Sequence, residues 1–88
     1  MELGRLKELL KFPCPFTFKV IGLTREGFRT DIENIAKKAT DKKYTIIVEK
    51  SKTQKYESFS VNFTLEKLEQ VEFLYENFGA IEGVKVVL

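Results

Sequence analysis

Residues 11–22 read KFPCPFTFKVIG, and the alternation in the second half of that stretch decides the fold. Phe16, Phe18 and Val20 fall on one side of an extended chain, while Thr17, Lys19 and Ile21 fall on the other. A period of two with large apolar residues in one phase only is a β-strand with one buried face. Pro13 and Pro15 each withhold a backbone N–H and fix φ, so no helix runs into the strand from upstream, and the residues before them are held extended. Gly22 is expected to end the strand. One strand cannot bury its own apolar face, so the rest of the chain has to supply neighbouring strands and a covering layer.

Downstream, Phe28, Ile32, Ile35, Ala36 and Ala39 recur at the helical period, which predicts a helix from about Arg25 to Thr40 with Thr24 as N-cap. KYTIIVEK (43–50) and YESFSVNFT (56–64) are β-rich runs joined by the polar SKTQK and read as a hairpin. In the second run Phe59, Val61 and Phe63 share one face and Ser58, Ser60 and Asn62 the other. Leu65, Leu68, Val71, Leu74, Tyr75 and Phe78 form the stripe of a second helix, with Thr64 expected at its N-cap and Gly79 at the left-handed position beyond its end. The final GVKVVL predicts a strand that points Val84, Val86 and Leu88 inward and Lys85 and Val87 outward. Upstream of the prolines, Leu3, Leu6, Leu9 and Leu10 predict a short amphipathic helix.

The expected organisation is therefore an N-terminal helix and lead-in over 1–12 and a single domain over 13–88. Its β-α-β-β-α-β order with one apolar stripe per helix makes an α+β, ferredoxin-like two-layer sandwich, in which both helices cover one face of an antiparallel four-stranded sheet. The other face stays open and mixes Thr17, Lys19, Ile21, Thr45, Ile47, Glu49, Tyr56, Ser58, Ser60, Asn62, Lys85 and Val87.

Composition narrows the chemistry. The 88 residues are 43% hydrophobic and 32% charged with a formal net charge of +2, a globular composition. The chain contains no histidine, which removes the commonest general base and the commonest metal ligand, and with them Ser-His-Asp and Cys-His catalysis. The single cysteine, Cys14, supplies one of the roughly four ligands that zinc requires, so no metal site and no cofactor are expected. Free cysteine is most often a small buried hydrophobe, and Cys14 is read that way. No nucleotide-binding glycine fingerprint is present. The apolar runs are too short to span a bilayer, and the basic-then-apolar layout of a signal peptide is lacking, so a cytoplasmic location is expected.

FPCPFTFKVIG near the front, EQVEFLYENFG in the last helix and VKVVL at the end, in this order and spacing, resemble the YbeD-like family of small bacterial proteins of unknown function. The resemblance runs from about Leu9 to Leu88. It implies a ferredoxin-like fold close to the ACT regulatory domain and no established enzymatic activity. VIGLTREGF (20–28) is also similar to the ACT segment in which a strand, a short loop and a glycine opening the first helix bind an amino acid at a subunit interface; Gly27 matches that glycine, whereas Thr24 stands where ACT domains often carry Asp.

These readings point to a non-enzymatic regulatory or adaptor module. Gly22, Thr24, Arg25 and Gly27 are the candidate rim for an amino-acid-like effector, and Ile21, Ile47, Val87 and Phe73 are candidate contacts for a protein partner or a second copy. Phe73 earns its place by lying about 160° round the helix from Val71, at 100° per residue, among Glu66, Glu69, Gln70, Glu76 and Asn77; either the N-terminal leucine helix or another chain is expected to meet it. The alternative is an RNA-binding module on the open sheet face, because recognition modules of this topology stack bases on exposed strand aromatics. Nucleic acid is the weaker reading: Phe59 and Phe63 are in the core phase, leaving Tyr56 as the one outward aromatic of its run.

Overall fold

A computed structural model describes residues 11–88; the expected helix over residues 2–10 lies outside the described residues. The elements follow in the order β1 (Cys14–Leu23), α1 (Phe28–Ala39), β2 (Thr45–Lys50), β3 (Tyr56–Leu65), α2 (Leu68–Gly79) and β4 (Val84–Val87). The four strands form one sheet in the order β2-β3-β1-β4, all neighbours antiparallel. This is the ferredoxin-like arrangement, with the long strands β1 and β3 in the centre.

The alternation that opens the sequence sets the layering. Phe18 and Val20 are fully buried, as are Phe59 and Val61 on β3, and Phe28, Ile32 and Ala36 of α1 and Val71, Leu74 and Phe78 of α2 close over them. Aromatic rings knit the two layers: Phe18 meets Phe63 and Phe78 edge-on at 6.0 and 5.6 Å, and Phe28 lies 4.7 Å from Phe59. Burying each such ring contributes roughly 1.5–3 kcal/mol, which makes this cluster the main source of stability. Cys14 is buried at the start of β1, opposite Leu65 on the covered face.

Several boundaries differ from those expected. β1 runs past Gly22 to Leu23, because Gly22 still pairs with β3 at Glu57 and with β4 at Val84. α1 begins at Phe28: Thr24 donates its N–H to the Lys55 carbonyl, and Gly27, at φ 84°, occupies the cap position with a left-handed backbone that glycine adopts without steric cost. β2 begins at Thr45, two residues later than the β-rich run. Leu65 belongs to β3, not to α2, so Thr64 is no cap. The start of α2 is instead held by Gln70, whose Oε1 accepts the N–H groups of Glu66 (2.7 Å) and Lys67 (3.1 Å) while its Nε2 donates to the Ala39 carbonyl at the end of α1 (3.0 Å). The left-handed glycine after α2 is Gly83 at φ 86°; Gly79 remains inside the helix.

The largest correction concerns β4. Ile21 pairs with Val86 and Gly22 with Val84, so Lys85 is an extra residue, a β-bulge. The bulge reverses the expected phase downstream: Val87 packs against the core opposite Val20, and Val86 is exposed beside Ile21 on the open face. Val87 is therefore not a surface contact.

Candidate functional site

The open face is organised in cross-strand rows. Thr45, Asn62 and Thr17 stand side by side on β2, β3 and β1, with the Thr17 hydroxyl donating to Asn62 Oδ1 (2.6 Å) and Asn62 Nδ2 donating to Thr45 Oγ1 (3.2 Å). The next row is Ile47, Ser60 and Lys19, and the one after it is Glu49, Ser58, Ile21 and Val86. Ile21 and Ile47 thus both lie on the open face, as expected, in adjacent rows and separated by β3. Ile47 is 56% exposed, Val86 42% and Tyr56 36%.

Toward the hairpin the face dips into a depression of about 230 Å³ lined by Lys19, Ile21, Glu49, Lys50, Tyr56 and Ser58. Both charge signs and two apolar side chains meet there. Lys55 sets its ammonium 5.5 Å from the centre of the Tyr56 ring, so the one outward aromatic of β3 already has a cation beside it. That arrangement is a surface of mixed polarity and not a row of free stacking platforms.

The β1–α1 loop has a different character. Arg25 spends its guanidinium internally: Nε donates to the Glu82 carbonyl (3.0 Å), Nη1 to the Glu26 carbonyl (3.0 Å) and Nη2 to Asp31 Oδ2 (2.5 Å), and the group lies 5.7 Å from the centre of the Phe28 ring. It ties the loop to α1 and to the turn before β4. Gly22 is no rim residue either, being buried where a Cβ atom would stand 2.8 Å from the Gly83 carbonyl oxygen and 2.9 Å from the Val84 Cα. Thr24 and Gly27 are exposed, but the backbone of the first is bonded to the hairpin and the second caps α1. Phe73 is half-buried on α2, in the helical layer and so on the opposite side of the sheet from Ile21 and Ile47, with its carbonyl accepting Asn77 Nδ2 at 2.8 Å.

Val86 and Leu88 are the open-face residues that the sequence pattern places inward; Leu88 is 64% exposed and exchanges backbone hydrogen bonds with Lys19, and VKVVL fits either phase until the bulge is known. Among the described residues no group of three or more His, Cys, Asp or Glu side chains is placed to hold a metal ion, and no helix is long and apolar enough to cross a membrane.

A family model described as a protein of unknown function (DUF493) matches residues 7–88. A UPF0250 protein of Pasteurella multocida is 39% identical over 88 residues, covering 100% of both chains, and one of Haemophilus influenzae (strain PittEE) is 37% identical over 87 residues, covering 99% of this chain and 95% of its own. Among solved structures, the solution structure of an H. pylori protein superposes with a TM-score of 0.77 at 16% identity, covering 90% of this chain and 85% of that one. The ACT domain from the GTP pyrophosphokinase of Chlorobium tepidum superposes with a TM-score of 0.70 at 14% identity, covering 85% and 95%. At such identities the likeness is one of fold.

Proposed function

The chain belongs to the DUF493 family, the YbeD-like UPF0250 proteins, and from that premise we propose that it is a non-enzymatic regulatory or adaptor module that recognises a protein partner on the open face of its sheet. The observation that carries this reading is the one-sided sheet: two helices cover one face, while the other presents Ile21, Val86, Tyr56 and Ile47 among Lys19, Glu49 and Lys50 around a shallow depression. Interfaces that form and dissociate have this texture, apolar anchors inside a charged rim. The ACT-like fold supports a regulatory role by likeness alone, since a fold hosts many functions. The amino-acid-effector version of the reading has less to draw on, because the Arg25 side chain is engaged internally.

The test is a comparison of surfaces. Tagged wild-type protein, Lys19→Glu, Tyr56→Ala and the helix-face control Arg29→Glu are used to capture partners from cells that express the protein. One protein retained by the wild type and by Arg29→Glu, and lost with both open-face variants, is the expected result. Capture that is indifferent to the open-face variants contradicts the reading, and salt-sensitive retention of oligonucleotides that Tyr56→Ala weakens replaces it with RNA binding.

A further inference from the structure

We propose that β2 is a self-association edge: two copies of the chain pair β2 to β2, antiparallel about a two-fold axis at Ile47, and join their four-stranded sheets into one continuous sheet. The pairing rests on the edge backbone of β2 and not on the open-face reading, with which it shares Ile47.

The backbone shows which groups are available. Ser51 donates its N–H to the Tyr56 carbonyl at 2.9 Å, which extends the β2–β3 register by one hydrogen-bonded pair. Bonded pairs alternate along an antiparallel ladder, so Thr45, Ile47 and Glu49 exchange bonds with β3, and Ile46, Val48 and Lys50 turn their N–H and C=O groups out of the sheet. Exposed edges are normally blunted by short length, bulges, proline or central lysine. β4 has three of these devices: it is four residues long, it is bulged, and the bulged residue is Lys85. β2 is six residues long and unbulged, with Ile46, Ile47 and Val48 at its centre and its charges, Glu49 and Lys50, at one end.

The sequence of β2 is complementary to itself about Ile47. A two-fold axis perpendicular to the sheet keeps both helical layers on one side and pairs residues of like face. With the axis at Ile47, each copy's Ile46 meets Val48 of the second copy beneath the sheet, Ile47 meets Ile47 above it, and Thr45 meets Glu49. The Ile46–Val48 pairs exchange about four interchain backbone hydrogen bonds, two per bonded pair. Lys43 comes diagonal to Glu49 of the second copy, within reach of a long side chain. Moving the axis to Val48 sets Ile47 against Glu49, and moving it to Ile46 leaves only residues 45–47 of each strand paired. The Ile47 register is the one in which every apolar residue of β2 meets another. An edge contact of this kind is small, so the dimer belongs to the weak class, with a dissociation constant on the order of 100 µM.

Sedimentation equilibrium of the full chain up to roughly 1 mM reads the association. The wild type is expected to show a monomer–dimer equilibrium. Ile47→Lys, which sets two like charges across the axis at an exposed site, is expected to weaken it by about tenfold or more while leaving the thermal unfolding curve nearly unchanged. Val48→Pro removes an outward N–H that β3 does not use and is expected to abolish association. Val86→Lys, on the opposite edge, is expected to leave it intact. Register is read by oxidative cross-linking in a Cys14→Ser background: Ile47→Cys forms an interchain disulfide, whereas Thr45→Cys, about 13 Å from its counterpart at 3.3 Å per residue, does not. A monomer at every concentration overturns the proposal, as does a dimer that Val86→Lys disrupts and Ile47→Lys does not. Binding of an extended foreign peptide at β2 by a chain that stays monomeric overturns it equally.

Discussion

The two edges of the sheet are built from much the same residues and end up with opposite properties. β4 is Val-Lys-Val-Val and β2 is Thr-Ile-Ile-Val-Glu-Lys, both β-branched and both lysine-bearing. In β4 the lysine is inserted into the ladder, where it breaks the register against β1 between Ile21 and Gly22 and bends a strand that is already short. In β2 the charges follow the apolar run, and its central backbone groups point out of the sheet with no partner strand among the described residues. Edge protection therefore depends on where a charge falls relative to the ladder and very little on composition.

The comparison breaks most severely at Gly22, where β1 and β4 approach too closely for any side chain. Gly22→Ala brings a Cβ within 2.8 and 2.9 Å of backbone atoms of Gly83 and Val84, and within 3.0 Å of the Phe28 ring. Urea denaturation should show a loss of about 3 kcal/mol, because the two backbones have to part. A smaller loss is expected from Gln70→Ala, on the side of the molecule where α1 hands over to β2. It removes the acceptor for the Glu66 and Lys67 N–H groups and the bond to Ala39, and about 1–2 kcal/mol should disappear in the same assay.

Deleting Lys85 sharpens the contrast with little thermodynamic effect. The pairs Gly22–Val84, Ile21–Val86 and Val20–Val87 survive as an unbroken ladder, so stability should stay within about 1 kcal/mol of the wild type. A chain with two regular edges can extend in both directions, so light scattering should report open-ended assemblies in place of dimers. The mildest change is Lys42→Ala, just before β2. Lys42 Nζ lies 2.7 Å from Glu66 Oε1, and this hydrogen bond, together with the lysine charge, holds the Glu66 carboxyl below its ordinary 4.5. A carboxyl depressed in the folded state contributes stability above its unfolded value that is lost as pH falls through the folded one. The substitution should move the Glu66 titration back up toward 4.5 in an NMR pH series and remove that acid sensitivity.

The layers were legible because burial imposes a period. Phe16, Phe18 and Val20 on β1, and the Phe28–Ile32–Ala36 and Val71–Leu74–Phe78 stripes, could satisfy only one arrangement of strands and helices. The caps and the bulge obey finer rules. Thr64 has the chemistry of an N-cap, but the sheet keeps Leu65 in β3 and a glutamine reaching back from inside α2 does the capping. Arg25 reads in the sequence as a rim residue for an amino-acid-like effector because two of its partners, Asp31 and the Glu82 carbonyl, lie six and 57 residues away. Val86 and Val87 are chemically identical, so which of them faces out is settled only by the pairing with Val20 and Ile21.

Hydrogen–deuterium exchange at low and high protein concentration tests the difference between the edges directly, because each backbone amide reports its own partner. The outward amides of Ile46 and Val48 on β2 should become protected as concentration rises, while that of Val87, which faces outward from β4, should exchange at one rate throughout. Equal, concentration-independent exchange at Ile46, Val48 and Val87 would contradict the assignment of β2 as the pairing edge.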